Sequence, residues 1–169
     1  IVDRLLEKML ASFLLQSDDT TLRVLDRNHP KNTLLGYFWF YIGDHRYAYV
    51  DFTPNRSREG PIRILKSRKQ KYLQTDGYSG YDRLYDGREA SLTHVGCWMH
   101  ARRYFYEAYE LKDHRAMPIL EYIRDLYTIE ANHRDGSDLD RLAARQSQSR
   151  PIIDAIQAWL NTHLSLIHI

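Results

Sequence analysis

Apolar and polar positions follow two different rhythms along this chain. In IVDRLLEKMLAS, Val2, Leu5, Leu6, Met9 and Leu10 fall at helical spacing and predict a lead-in helix. FLLQSDDTTLRVLD, rich in apolar and β-branched residues, predicts a strand with two acids in its middle. LLGYFWFYIGD predicts a second strand, and its unbroken apolar run suggests burial on both faces. RYAYVDFTP predicts a third, with Gly43-Asp44 as the hairpin turn. Three strands joined by short loops make an antiparallel meander.

The rhythm then changes. Residues 55–71, NRSREGPIRILKSRKQK, are polar and basic, and Pro61 suits the first turn of a helix. YLQTDGYSGY predicts a short strand ending at Asp76-Gly77, followed by a turn and a short helix. SLTHVGCW predicts a further strand, and MHARRYFYEAYELKD a helix. From Pro118 onward only helices are expected: PILEYIRDLYTIEANH, a turn at Asp135-Gly136-Ser137, and PIIDAIQAWLNTHL from Pro151. A meander followed by strand–helix alternation is an α/β pattern with a mixed sheet, the order of a ribonuclease-H-like core, followed here by an α-helical insertion.

Composition narrows the class. At 169 residues, with 43% hydrophobic and 12% aromatic residues, the chain can bury a core, which excludes disorder and low complexity. One cysteine excludes an intramolecular disulfide framework and fits a reducing cytoplasm. No apolar run approaches the roughly 20 residues of a membrane span, and no signal peptide is visible. The chain starts at Ile1 rather than methionine and reads as a piece of something longer. Its net charge is only +2, yet residues 56–71 carry a local +6 from Arg56, Arg58, Arg63, Lys66, Arg68, Lys69 and Lys71 against Glu59. Arg102 and Arg103 follow in the next helix. Such clusters suit salt-sensitive contacts to backbone phosphates, or form a solvated helix face.

Two carboxylates stand out by position. Asp18 lies inside the first strand, where a charge is unfavourable unless something uses it, and Asp76 lies where the fourth strand ends. In a sheet of this order those strands are neighbours, so the two acids can converge and bind a hard divalent cation through oxygen. The alternative is that Asp18 and Asp19 sit on a solvated edge and Asp76 only begins a turn. Cys97 and His100 have Cys-x-x-His spacing, but two ligands do not make a zinc site; a small buried thiol beside a helix start is the plainer reading. Tyr78 and Tyr81, just after Asp76, either pack a nucleotide or fill core. Tyr104, Phe105 and Tyr109 are expected to pack. Glu130 continues the apolar stripe of positions 119, 120, 123, 126 and 127, and the favoured reading puts it at the surface rather than on a metal.

These residues also carry a resemblance. YLQTDGYSGY, followed by GCWMHARRYFYEA, closely resembles the central block of the insertion-sequence sixty-six family of bacterial transposases. SDDTTLRVLD resembles that family's first acidic block, in which aspartate is usually followed by glutamate and threonine. GYFWFYIGD and VDFTPNRS fit the intervening strands, and PILEYIRDLYTIE and RPIIDAIQAWL the helical continuation. The resemblance runs over about residues 10–164. It implies a DDE transposase with a ribonuclease-H-like core binding Mg2+ or Mn2+. The first catalytic, metal-binding aspartate falls on Asp18 and the second on Asp76. Asp19 stands where glutamate is usual, and Tyr104 where a basic residue is common, while Cys97 and His100 are kept.

The family's third acid, a glutamate, follows a long helical insertion in a block with paired asparagines. This sequence contains no such block, SLIHI does not continue the pattern, and Glu107 and Glu130 match no motif. The expected organisation is a lead-in helix (1–12), a partial catalytic core (13–112), a partial helical insertion (113–164) and an unmatched tail (165–169), cut before the glutamate and inactive alone. The intact enzyme would hydrolyse a phosphodiester at the transposon end, and the exposed 3′ hydroxyl would attack target DNA. The implied partner is double-stranded DNA, both transposon ends and target, contacted by Arg56, Arg58, Lys66, Arg68, Lys69, Lys71, Arg102 and Arg103. A homo-oligomer is compatible, a membrane is not expected, and the implied location is the bacterial cytoplasm, on the nucleoid when bound to DNA. A second reading is a DNA-binding or assembly module without catalysis, and a third is a nuclease of the same fold using Glu130.

Overall fold

A computed structural model describes residues 2–68, 71–88 and 90–163, so the expected tail at 165–169 lies outside the described residues. The chain divides into two compact units, Ile1–Cys97 and Trp98–Ile169. The first holds α1 (Val2–Ala11), β1 (Leu14–Leu25), β2 (Thr33–Gly43), β3 (Tyr47–Thr53), α2 (Glu59–Leu65), β4 (Tyr72–Thr75), α3 (Asp82–Tyr85) and β5 (Thr93–Gly96). Its five strands form one mixed sheet in the order β3-β2-β1-β4-β5. β1, β2 and β3 pair antiparallel, whereas β4 and β5 run parallel to β1.

The hairpin between β2 and β3 centres one residue later than the sequence suggests. Asp44 and His45 take positive φ values of 47° and 54°, as a type I′ turn requires, and the Arg46 amide donates to the Gly43 carbonyl at 2.9 Å. Gly43 serves a different need: a Cβ there would lie 2.2 Å from Ser12 Oγ and 3.0 Å from the Met9 carbonyl oxygen, so α1 crosses β2 only over a glycine. The Asp44 carboxylate accepts from the amides of Phe13 and Leu14 at 3.0 and 2.9 Å, tying the hairpin to the start of β1. The Leu14 amide, the larger cause, and the Phe13 amide together hold its carboxyl below the ordinary range.

β2 is not buried on both faces, contrary to its unbroken apolar run. Trp39 and Tyr41 are fully buried, while Phe40 and Ile42 are 41% and 39% exposed. The run belongs to a strand paired antiparallel on both sides, so one face meets the core and the other does not have to. The inner face packs Met9, Leu15, Trp39, Tyr41, Leu73 and Tyr81 together with Leu65 of α2 and Leu84 of α3. The Trp39 indole donates to Thr53 Oγ1 at 2.7 Å, so the largest core side chain leaves no polar atom unsatisfied.

The second unit holds α4 (Trp98–Glu110), α5 (Met117–Asn132), α6 (Asp138–Ala144), a π-helical turn (Arg145–Ser149) and α7 (Arg150–His163). Ile119, Ile123 and Leu126 of α5 pack with Ile156 of α7, joined by Phe105 and Trp159. Helical spacing of 119, 123 and 126 made this stripe readable in advance. Ser137, at the expected turn, caps α6 with a reciprocal capping box to Asp140.

Candidate active site

β1 is longer than its parallel neighbour. It pairs with β2 from Leu15 to Leu25, but with β4 only over Leu14–Gln16. Beyond Gln16 its other edge opens, and Asp18 and Asp19 sit just past that point. Asp76 directly follows Thr75, the last residue of β4. The sheet topology therefore delivers acids from distant segments to the point where the parallel pairing of β1 with β4 stops, Asp18 from within β1 and Asp76 from just past the end of β4.

Alternation along β1 separates the neighbouring aspartates. Asp18 stands opposite the partly exposed Phe40, Asp19 opposite the buried Trp39, so they point to opposite faces. Carboxylate oxygens of Asp18 and Asp76 lie within 4.8 Å of each other. Asp19 is instead gripped by Arg56, whose Nη2 donates to Oδ1 at 2.8 Å and whose Nε donates to Oδ2 at 3.0 Å. Arg56 Nη2 also reaches Asp76 Oδ2 at 3.3 Å. The hydrogen bond to Asp19 holds the guanidinium above its ordinary pKa.

Arg56 is fixed from behind. Its guanidinium carbon lies 4.1 Å from the centroid of the Tyr78 ring, and the Tyr78 hydroxyl donates to the Arg56 carbonyl at 2.6 Å. The Tyr78 amide in turn donates to Asp76 Oδ1 at 3.1 Å, closing a turn around that carboxylate. Gly80 is required here, because a Cβ would lie 2.1 Å from the Tyr78 ring. Behind the acids, Ser17 Oγ and the Tyr81 hydroxyl share a buried hydrogen bond of 2.9 Å. Thr75 Oγ1 meets the Tyr85 hydroxyl at 2.8 Å and His94 Nε2 at 3.3 Å. Burial pushes the Tyr81 hydroxyl up strongly and that of Tyr85 up to about 12, so both stay neutral hydrogen-bonding groups at physiological pH.

The basic run does not form one face. Arg68 corrects the expectation of a phosphate contact: it is 2% exposed and donates to the carbonyls of Leu10, Phe13 and Tyr72 at 2.7, 3.0 and 3.1 Å. Lys71 donates to the Ala11 carbonyl, and Arg63 pairs with Asp51. Arg56 is turned to the acids. Arg58 and Lys66 are exposed, and Lys69 lies outside the described residues. In the second unit, Arg102 and Arg103 are exposed on α4, with Arg102 over the Tyr106 ring at 5.6 Å. Glu130 is held by Arg145, which donates to its two carboxylate oxygens at 2.7 Å each and lowers its pKa. Cys97 is a free, half-buried thiol.

Arg83 and Arg88 were missed by the sequence reading. They line a pocket with Arg58, and the only local signal is their position either side of the Asp86-Gly87 turn, where Gly87 has φ +81°.

Comparison with known proteins now decides the family. The chain matches the description "Transposase IS66 family" over residues 1–168. It belongs to that family. Among curated proteins it is 32% identical over 174 residues to the uncharacterized protein y4jD of Sinorhizobium fredii (strain NBRC 101917 / NGR234), covering 95% of this chain and 34% of that protein. The uncharacterized protein y4hP of the same strain is 26% identical over 190 residues, covering 99% of this chain and 34% of its own length. The chain thus spans about a third of the length of the curated relatives it matches. No solved structure matches it. IS66 membership ties the chain to transposition. Among the described residues, no helix is long and apolar enough to cross a membrane.

Proposed function

We propose that the Ile1–Cys97 unit is the ribonuclease-H-like core of a DDE transposase, and that Asp18 and Asp76 are two of its metal-binding catalytic acids. The observation carrying this reading is the approach of their carboxylates to within 4.8 Å where the parallel pairing of β1 and β4 stops. Two carboxylates this close repel, and carboxylate oxygens suit a hard divalent cation such as Mg2+ or Mn2+. A bound divalent cation supplies Lewis-acid polarisation of a scissile phosphate and a more acidic attacking water or hydroxyl. The protein's part is orientation. The Tyr78 amide fixes the rotation of the Asp76 carboxylate, and the Arg56 clamp keeps Asp19 out of the ligand role. The strand order β3-β2-β1-β4-β5, with its antiparallel half and its parallel half, supports the ribonuclease-H-like assignment.

The substrate in this reading is double-stranded DNA at transposon ends and target. Exposed Arg58, Lys66, Arg102 and Arg103 supply backbone contacts. In this reading the chain binds both duplex DNA and a divalent metal ion. Fluorescence anisotropy of a labelled duplex tests the reading. Mn2+ strengthens binding to the wild-type chain, and Asp18→Asn and Asp76→Asn each abolish the strengthening. Binding indifferent to Mn2+ and to both substitutions would mean a DNA-binding or assembly module without a catalytic centre.

A further inference from the structure

One face of α4 combines exposed rings with cations that no carboxylate holds. Trp98, Met99, Arg102, Arg103 and Tyr106 recur at spacings of three and four, so their side chains share that face. All five are exposed, Trp98 at 38% and Tyr106 at 45%. Trp98 and Tyr106 stand about 12 Å apart along the helix axis, with Arg102 one turn from each. The Arg102 guanidinium carbon lies 5.6 Å from the centroid of the Tyr106 ring. Among the described residues, neither Arg102 nor Arg103 is paired with a carboxylate, and the helix carries no acid before Glu107. An apolar protein partner laid on these rings would bury two unpaired guanidinium groups, which is unfavourable. A nucleic-acid strand meets both halves of the chemistry. Its phosphates pair with the guanidinium groups, and its bases stack on the rings when they are not stacked on one another. A duplex offers a protein surface its phosphates and base edges, so exposed rings of this kind favour unpaired nucleotides.

We propose that this face of α4 binds unpaired nucleotides of a DNA strand: Trp98 and Tyr106 stack bases, while Arg102 and Arg103 hold the phosphates between them. DNA as the source of that strand rests on the proposed function, which gives the same arginines backbone contacts. The surface itself lies within α4 and involves none of the acids of the first unit. Stacking accepts any base, so the surface recognises single-strandedness rather than sequence.

The test titrates the full chain against oligothymidylate, a strand that does not pair with itself, and follows tryptophan emission and the anisotropy of a labelled copy. Trp39 is fully buried and Trp159 packs in the α5–α7 cluster, so base stacking quenches chiefly Trp98. The wild-type chain is expected to bind with quenching. Trp98→Phe keeps a ring and binds, but loses the quenching. Trp98→Ala and Tyr106→Ala each weaken oligothymidylate binding about fivefold or more. Both leave the Mn2+-strengthened binding of duplex in place, and circular dichroism verifies their fold. No oligothymidylate binding, or equal binding by the wild type and both alanine variants, overturns the surface; duplex binding that still responds to Mn2+ then leaves the proposed function standing. Binding lost in the alanine variants of a chain that shows no Mn2+ response keeps the surface and removes that function. A wild-type dimer that W98A/Y106A converts to monomer in sedimentation, with oligothymidylate ignored, makes the face a contact between copies and overturns the proposal.

Discussion

Arg56 and Arg68 belong to one basic run, and their surroundings give them unrelated roles. Arg56 is held between Asp19 and Asp76 over the Tyr78 ring, whereas Arg68 is buried with its guanidinium among three backbone carbonyls. Burial lowers the pKa of Arg68, but a guanidinium retains its proton, so the group acts as a charged clamp on α1, β1 and β4. Arg68→Ala strands those carbonyls in the interior. It is expected to cost about 3 kcal/mol in urea unfolding while leaving the salt slope of DNA binding unchanged. A changed slope with unchanged stability would return Arg68 to the role the charge run suggests. The acids themselves were legible in the sequence, because a charge inside a strand and an Asp-Gly at a strand end are local anomalies. The fate of each arginine was not. A basic run reads alike whether its side chains meet solvent, carboxylates or carbonyls, and only the fold brings Leu10, Phe13 and Tyr72 to Arg68.

At the scale of elements, the meander, the parallel pair and the helical stripe of α5 all follow from periodicity. Periodicity is silent about which face of a strand is covered and where a turn centres. An apolar run cannot tell a strand buried on two faces from one with a half-exposed outer face, which is the case for Phe40 and Ile42. The β2–β3 turn moved by one residue because Gly43 is demanded by the crossing of α1, leaving the positive φ angles to Asp44 and His45. This junction also carries a pH dependence. The Asp44 carboxyl is held below its ordinary value by the Leu14 and Phe13 amides, so its folded pKa lies below its unfolded one. Its contribution is therefore complete above the unfolded value near 3.9 and is lost as pH falls through the lower folded value. Thermal unfolding followed from pH 5 to pH 2 should show a decline in wild-type stability that Asp44→Asn partly lacks. Parallel profiles for the two proteins would mean that the amide contacts contribute nothing.

For the molecule as a whole, a net charge of +2 conceals where charge is placed. Among the described residues, cations are found in an acid clamp, an interior clamp, an arginine-lined pocket, ion pairs such as Arg63–Asp51 and Arg145–Glu130, and exposed positions. The meeting of Arg58 with Arg83 and Arg88 depends on the chain passing through β4 between them, which no pattern in the sequence announces. What unites the first unit is its opened sheet edge, where Asp18 and Asp76 converge. The most direct test of that claim is Mn2+ binding followed by electron paramagnetic resonance of the free ion, comparing the wild-type chain with Asp18→Asn, Asp76→Asn and Glu130→Gln. The prediction is one bound Mn2+ in the wild type, affinity reduced by about tenfold or more (about 1.4 kcal/mol) in each aspartate variant, and no change in Glu130→Gln, whose carboxylate is held by Arg145. Equal binding by wild type and Asp76→Asn, or loss of binding in Glu130→Gln, would contradict it.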